Sequence, residues 1–278
     1  MADDPSRSRR QDGDEQVEHR GWSRRPERGP THAGADSTRT SPCGRREIID
    51  RLGDTLSEGF DHYAADYEGL LADSVRASGE GPDYFAEYKC RVLLRTWRPP
   101  AASDVVLDYG CGMGLLTRHL AATYRDVHGY DPSSKSIGRA RELVPAAEFF
   151  HREADLSAAH YGAVVLANVL HHVPVAERAA LLERVSRLLV PGGTLFVFEH
   201  NPLNPLTRRA VAACRFDDDA ILLGPFELPR LLRSAGFVDV HRDFIVFFPH
   251  ALARLRGLER RLARVPIGAQ MFAWGVRP

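Results

Sequence analysis

The stretch V-V-L-D-Y-G-C-G-M-G-L-L-T, Val105 to Thr117, decides how the rest of the chain is read. Aliphatic residues run into Asp108, glycine then recurs at every second position (Gly110, Gly112, Gly114), and an apolar run resumes at Leu115. The pattern predicts a buried strand, a tight turn made of residues that tolerate left-handed backbone, and the start of a helix. Such a strand, turn and helix form a nucleotide-binding turn.

Working outward, strand-like and helix-like runs alternate. Strands are predicted at Val105–Asp108, Val127–Asp131, Glu148–Phe150, Ala163–Val169 and Thr194–Glu199, with helices from Leu115, from Ser134 and over Ala176–Leu189. Alternation of this kind signals right-handed βαβ units, a doubly wound α/β sheet with helices on both faces. A further helix over Glu227–Ser234 ends at Gly236, as a C-cap does. Two last strands follow, F-V-D-V-H-R-D-F-I-V-F-F and A-Q-M-F-A-W-G-V. No crossover helix fits after the final one, so these two are expected to pair antiparallel. Between them lies an arginine-rich helical piece, Leu252–Arg264, whose leucines are expected to pack on the sheet edge rather than lie on a membrane surface.

Upstream, residues 46–100 carry apolar residues at helical spacing and end at Pro99-Pro100, which predicts a helical lid before a domain spanning 101–278. Residues 1–45 mix charge with Pro, Gly, Ser and Thr and hold almost no aliphatics, so they are expected to be a disordered tail. The whole chain has 278 residues, 44% of them hydrophobic, with 37 basic and 37 acidic side chains. Zero net charge argues against nucleic acid and anionic membranes as partners. No apolar run reaches the roughly eighteen residues of a membrane span, and the four cysteines show no C-x-x-C spacing. A cytoplasmic protein with reduced thiols fits these features. They leave the oligomeric state open.

Two phosphate-binding readings of the glycine turn fail. A dinucleotide fingerprint counted from Gly110 needs a small residue where Leu115 stands, and a Walker P-loop needs a G-K-[ST] that is absent. The second strand ends in V-H-G-Y-D, with Asp131 twenty-one residues beyond Gly110, where a carboxylate can accept both hydroxyls of a ribose. Its alternative role is to cap the helix at Ser134, for which Ser133 is better suited.

Taken with F-F-H-R-E-A-D-L-S, V-V-L-A-N-V-L-H-H-V-P and L-L-V-P-G-G-T-L-F-V, these stretches come in the order found in the class I S-adenosylmethionine-dependent methyltransferases, which the chain resembles over roughly residues 60–278. The resemblance implies a Rossmann-like, seven-stranded sheet and S-adenosylmethionine as cofactor. It implies that Asp108, Gly110, Cys111, Gly112 and Gly114 surround the amino-acid part of the cofactor and that Asp131 takes the ribose. Pro132 and Leu156 would then flank the adenine, Asp155 accept from its amino group, and Asn168 lie at the end of strand four. Tyr63 and Tyr67, in F-D-H-Y-A-A-D-Y, correspond to a lid that closes over cofactor or acceptor.

Methyl transfer from a sulfonium is an in-line displacement, so positioning and exclusion of water can supply much of the rate and no metal is demanded. A general base helps when the acceptor is a hydroxyl or an acidic carbon. Ligands in open parallel sheets bind beyond the carboxyl ends of the strands, which singles out His171 and His172 after strand four and Glu199, His200 and Asn201 after strand five. By the resemblance His172 is the expected base, with the side chain of His171 directed elsewhere and Glu199 and His200 as further candidates. The run Asp217-Asp218-Asp219, with no histidine nearby in sequence, reads as a solvated turn or cap rather than a metal site. The expected function is methyl transfer to a small-molecule acceptor, a specialised metabolite. The alternative is a non-methylating cofactor-binding or cyclising protein on the same fold, since fold does not dictate function.

Overall fold

The computed structural model describes residues 67–278 other than 215, 216 and 219. The tail, much of the expected lid and Tyr63 lie outside the described residues.

Helix α1 (Tyr67–Val75) leads through a 3₁₀ turn to α2 (Pro82–Thr96). The start of α2 is set by Pro82 in the first turn and by Asp83 close behind it, one with its backbone angle already helical and the other with a charge that suits the helix dipole. Ala86, Cys90 and Leu93 recur at helical spacing and are buried. Strand β1 (Val106–Tyr109) then feeds the glycine turn and α3 (Leu115–Ala121), followed by β2 (Val127–Tyr130), α4 (Ser134–Leu143), β3 (Glu148–Phe150) and β4 (Tyr161–Ala167). The second half runs α5 (Arg178–Leu188), β5 (Leu189–His200), α6 (Pro205–Ala212), α7 (Glu227–Ser234), β6 (Val238–Ile245), α8 (Glu259–Leu262) and β7 (Gln270–Val276).

The seven strands make one sheet in the order β3-β2-β1-β4-β5-β7-β6. Strands β1 to β5 pair in parallel, and β7 lies antiparallel between β5 and β6, as its missing crossover helix predicts. Aromatic pairs hold that insertion in register. Phe198 lies opposite Phe272 with ring centroids 4.7 Å apart, and Phe272 stacks on Trp274 at the same distance. Each such pair contributes about 0.5–1.5 kcal/mol beyond burial of its area.

Alternation along β1 separates two cores. Leu107 and Tyr109 face the layer that includes Leu182 and Val185 of α5 and Leu228 of α7, while Val106 faces the layer with Leu93 of α2 and Leu116 of α3. Asp108 falls on the α2 side of the sheet by the same period of two. The order reverses at β1: the chain adds β2 and β3 on one side, then returns to place β4 on the other. The crevice at the carboxyl ends of β1 and β4 is therefore a topological switch point, where ligands of open α/β sheets bind.

Two expectations need correction. Strand β5 starts at Leu189, within the expected fifth helix, because Leu189 already pairs with Tyr161 before the Pro191-Gly192-Gly193 irregularity. The arginine-rich piece is mostly a 3₁₀ helix, His250–Leu258, and Leu252, Leu255 and Leu258 stay exposed instead of packing on the sheet. What turns inward is Glu259, 5% exposed, which accepts from the Tyr88 hydroxyl (2.6 Å) and from the backbone N–H groups of Phe247 (3.0 Å) and Phe248 (3.2 Å). Three donors satisfy one buried carboxylate, and this hydrogen bonding orients the segment in place of its leucines. Among the described residues no helix is long and apolar enough to cross a membrane.

Candidate active site

The glycine turn has the backbone that the spacing predicts. Gly110, Gly112 and Gly114 have φ of 82°, 53° and 84°, a left-handed region open to glycine at little cost. A Cβ on Gly110 would also stand 2.6 Å from Cγ2 of Val169, so the turn lies directly against the segment that leaves β4. Backbone N–H groups of Gly110 and Cys111 donate to Tyr130 O at 2.7 and 2.9 Å, tying the turn to the end of β2. The side chain of Cys111 packs into a small core with Ile137, Ala140, Val144 and Phe149, so this residue serves the fold through its thiol and the turn through its backbone.

Asp131 closes the other side of the turn. Its carboxylate accepts from Gly112 N and from Ser133 N, both at 2.9 Å. Ser133, not Asp131, caps α4 by accepting from Ser136 N, as expected. Pro132 follows half-buried at the same edge. Asp155 is exposed, and Arg152 grips its carboxylate with two donors at 2.9 and 2.6 Å, while Leu156 is buried in the core layer. Tyr67 opens α1.

Asp108 is 1% exposed and accepts from the Thr117 hydroxyl at 2.7 Å. Burial pushes its carboxyl up to about 7 against the pull of that hydrogen bond, and the nearby Asp131 charge adds to the rise. Lys89 of α2 approaches from above the sheet, 6% exposed, with Asp108 and Glu199 as its electrostatic neighbours. Burial brings its ammonium down to about 8 in spite of those two acids. Among the described residues no hydrogen bond closes on that ammonium. Across the crevice Asn168 holds φ of 61°, and its buried Oδ1 has no partner. A left-handed asparagine with an orphaned acceptor is a strained, costly arrangement of the kind found at ligand sites.

The second half of the site is a cluster of imidazoles and acids. Glu199, fully buried at the end of β5, accepts from Leu170 N at 2.7 Å and from His171 Nδ1 at 2.6 Å. His171 is 1% exposed, so its side chain does not point away as the sequence suggested. Its Nε2 lies 3.4 Å from Asp217 Oδ1, and His172 Nε2 lies 3.6 Å from the same oxygen. The two rings sit 4.2 Å apart, with His200 5.2 Å from His171. Burial opposes the charge on His171, but Glu199 and Asp217 outweigh it and raise the imidazole to about 9. Burial likewise opposes ionisation of Glu199, yet His171 holds its carboxyl below the usual range. Burial and the neighbouring His171 charge take His200 down to about 4, which leaves it neutral. Asn201, behind them, is structural: its amide donates to Pro266 O and Gly268 O.

Three residues of this site carry no motif. Lys89 stands on the apolar stripe of α2, between Ala86 and Leu93, and a charge on such a stripe is the signal that picks it out. Asp217 comes from the turn read as solvated, and it reaches the histidines because Ile221 N donates to His171 O at 2.8 Å. Arg178, 1% exposed, holds that loop by donating to Ile221 O and Val173 O while pairing with Glu227. Asp217 thus does have histidines beside it, in space rather than in sequence.

Known proteins place this architecture. Residues 83–242 match the family described as methyltransferase domain. The chain is 34% identical over 140 residues to a dTDP-3-amino-3,6-dideoxy-alpha-D-glucopyranose N,N-dimethyltransferase of Streptomyces fradiae, covering 48% of this chain and 54% of that protein. It is 32% identical over 156 residues to a ubiquinone biosynthesis O-methyltransferase of Thiobacillus denitrificans, covering 50% and 66%. The chain therefore spans between half and two thirds of the length of these relatives. Among solved structures it is similar to an S-adenosylmethionine-dependent methyltransferase of Thermotoga maritima described as a possible histamine N-methyltransferase, with a TM-score of 0.58 and 17% identity over 80% of this chain and all of that one. The magnesium protoporphyrin IX methyltransferase of Synechocystis has a TM-score of 0.55 and 18% identity over 81% of this chain and 99% of that one, and both likenesses bear on the fold. With the family match spanning more than half of its length, the chain belongs to the methyltransferase domain family, the class I S-adenosylmethionine-dependent methyltransferases.

Proposed function

We propose that the protein transfers a methyl group from S-adenosylmethionine to a small-molecule acceptor, a specialised metabolite bearing a hydroxyl or amino nucleophile. The observation that carries this reading is the complementarity of the crevice to a zwitterionic amino acid. A buried acid at Asp108 and an orphaned acceptor at Asn168 suit an ammonium, and the buried, unbonded ammonium of Lys89 suits a carboxylate. An ammonium set against Asp108 would favour its ionised form and offset the cost of its burial. Left-handed glycines bring backbone close enough to line the same ligand, and Asp131 has the position to take ribose hydroxyls. The matched relatives methylate an amino sugar and a ubiquinone precursor by their names, which supports a small acceptor.

When bound, the cofactor supplies a methyl carbon on a sulfonium: the acceptor's lone pair forms the new bond as the carbon–sulfur bond breaks, and its electron pair stays on sulfur. The chain's own part is to orient both partners, exclude water and draw off the acceptor's proton. Activation of the acceptor falls to the His171, His172 and Asp217 cluster. His172 is its more open histidine, with 14% of its side chain exposed against 1% for His171. Calorimetry with S-adenosylhomocysteine and, separately, NAD tests the cofactor, and transfer of labelled methyl to an acceptor panel tests the reaction. Binding without transfer would favour a non-methylating protein on this fold. His172→Ala is expected to lower turnover by about 10²-fold with cofactor affinity unchanged.

A further inference from the structure

The histidine cluster is built more firmly than proton transfer alone requires. His171 Nδ1–H donates to Glu199 Oε2 at 2.6 Å, which fixes the ring and leaves Nε2 facing the crevice, where a bound ion would take the place of its proton. That Nε2 is buried and makes no hydrogen bond, although a carboxylate oxygen stands 3.4 Å away. His172 Nε2 converges on the same oxygen and stops at 3.6 Å. These spacings exceed a charge-assisted hydrogen bond by half an ångström or more, taking such bonds at about 2.7–2.9 Å. They match the edge of a coordination tetrahedron: donors about 2.0–2.1 Å from a zinc ion stand about 3.3–3.4 Å from one another. The ligand atoms of His171, His172 and Asp217 all lie within 4.8 Å of one another. Asp217 is held in range by the Ile221 N–H bond to His171 O and by the Arg178 clamp.

We infer that His171, His172 and Asp217 bind one divalent transition-metal ion of the zinc class. Two imidazoles and one carboxylate leave a fourth position open, the donor set of catalytic rather than structural zinc sites. Imidazole suits zinc, nickel and iron, whereas magnesium and calcium take oxygen donors. Glu199 holds the outer nitrogen of His171, as carboxylates behind ligating histidines commonly do. The open position takes an oxygen of the acceptor, polarising it for attack on the methyl carbon. The ion's use thus rests on the methyl-transfer reading, whereas its binding does not.

The test uses the full chain, stripped with a chelator and dialysed against Zn²⁺, with bound metal read by elemental analysis. Wild type is expected to hold one tight equivalent, and Mg²⁺ not to compete. Asp217→Asn keeps the size of a side chain at a solvent-reached turn and is expected to lose at least about 10-fold in zinc affinity, as is Glu199→Gln by about 10–100-fold. His250→Ala, at an exposed histidine on the 3₁₀ segment, is expected to match wild type. A wild type that binds no zinc, or an Asp217→Asn variant that binds it as wild type does, overturns the inference. Binding of S-adenosylhomocysteine in the same samples separates the two readings: if it survives while zinc binding fails, only the metal site falls.

Discussion

The cofactor side and the acceptor side of the crevice are built in opposite ways. The first is local: β1, five residues of turn and α3 follow one another without interruption, and the working element is backbone held in the left-handed region by glycine. The second is assembled from three separate stretches, with His171 and Glu199 28 residues apart and Asp217 brought in by a buried arginine from α5. The contrast teaches that backbone geometry can be carried by a short word of sequence. A cluster of side chains exists only once β4 lies beside β5 and a loop is tied across both. The first half should therefore fail through strain and the second through uncompensated charge.

The largest expected effect is on the acceptor side. His171→Ala leaves the buried Glu199 carboxylate without its charge partner and is expected to cost about 3–5 kcal/mol of stability, read from urea unfolding. A loss under about 1 kcal/mol would show that the cluster is not electrostatically closed and would break the contrast. On the cofactor side, Gly110→Ala places a Cβ at a left-handed residue and into Val169, and is expected to cost about 2–3 kcal/mol. Adding Val169→Ala should return part of that loss, sharpening the division between contact and backbone strain. Asp131→Ala is expected to weaken S-adenosylhomocysteine binding by about 1.5–3 kcal/mol while the folded state persists, measured by calorimetry. Unchanged affinity would reject the ribose role.

The smallest effect lies outside both halves. Asp83 on α2 is held below its ordinary value of 3.8 by its hydrogen bond to His119 and, against a burial penalty, by Arg118. A lowered carboxyl adds stability above its unfolded-state value and loses it as pH falls through the folded-state value, so the gain should shrink as pH falls below 3.8. Exposure limits it to about 0.2–1 kcal/mol. Asp83→Asn should thus differ slightly from wild type at neutral pH and by less and less as pH falls below 3.8, by urea midpoint.

The alternating strands, the antiparallel last strand and the glycine turn were legible because each follows from hydrophobic period, from the length of a connection or from a residue type with one conformational use. Asp131 and Ser133 were distinguishable because the cap is the residue immediately before the helix, which is Ser133. Asp217 was not, since three adjacent acids look alike until Ile221 pairs with His171. The leucines of 252–258 misled for a related reason: apolar spacing predicts a buried face, but it cannot register that a single glutamate with three donors outcompetes them.

The chain contains two lysines, and they meet the surroundings very differently. Lys135 is exposed on α4, whereas Lys89 is sealed beneath α2 with an amine that loses its proton near pH 8. The neutral amine is the form that attacks acylating reagents, so Lys89 is the more nucleophilic of a pair in which only the other can be reached. Its rate of acylation, located at Lys89 by peptide mass spectrometry and so separated from Lys135 and the α-amino group, becomes a built-in reporter of how often the crevice opens. A ligand seated over that amine should silence the Lys89 adduct and leave the Lys135 adduct untouched.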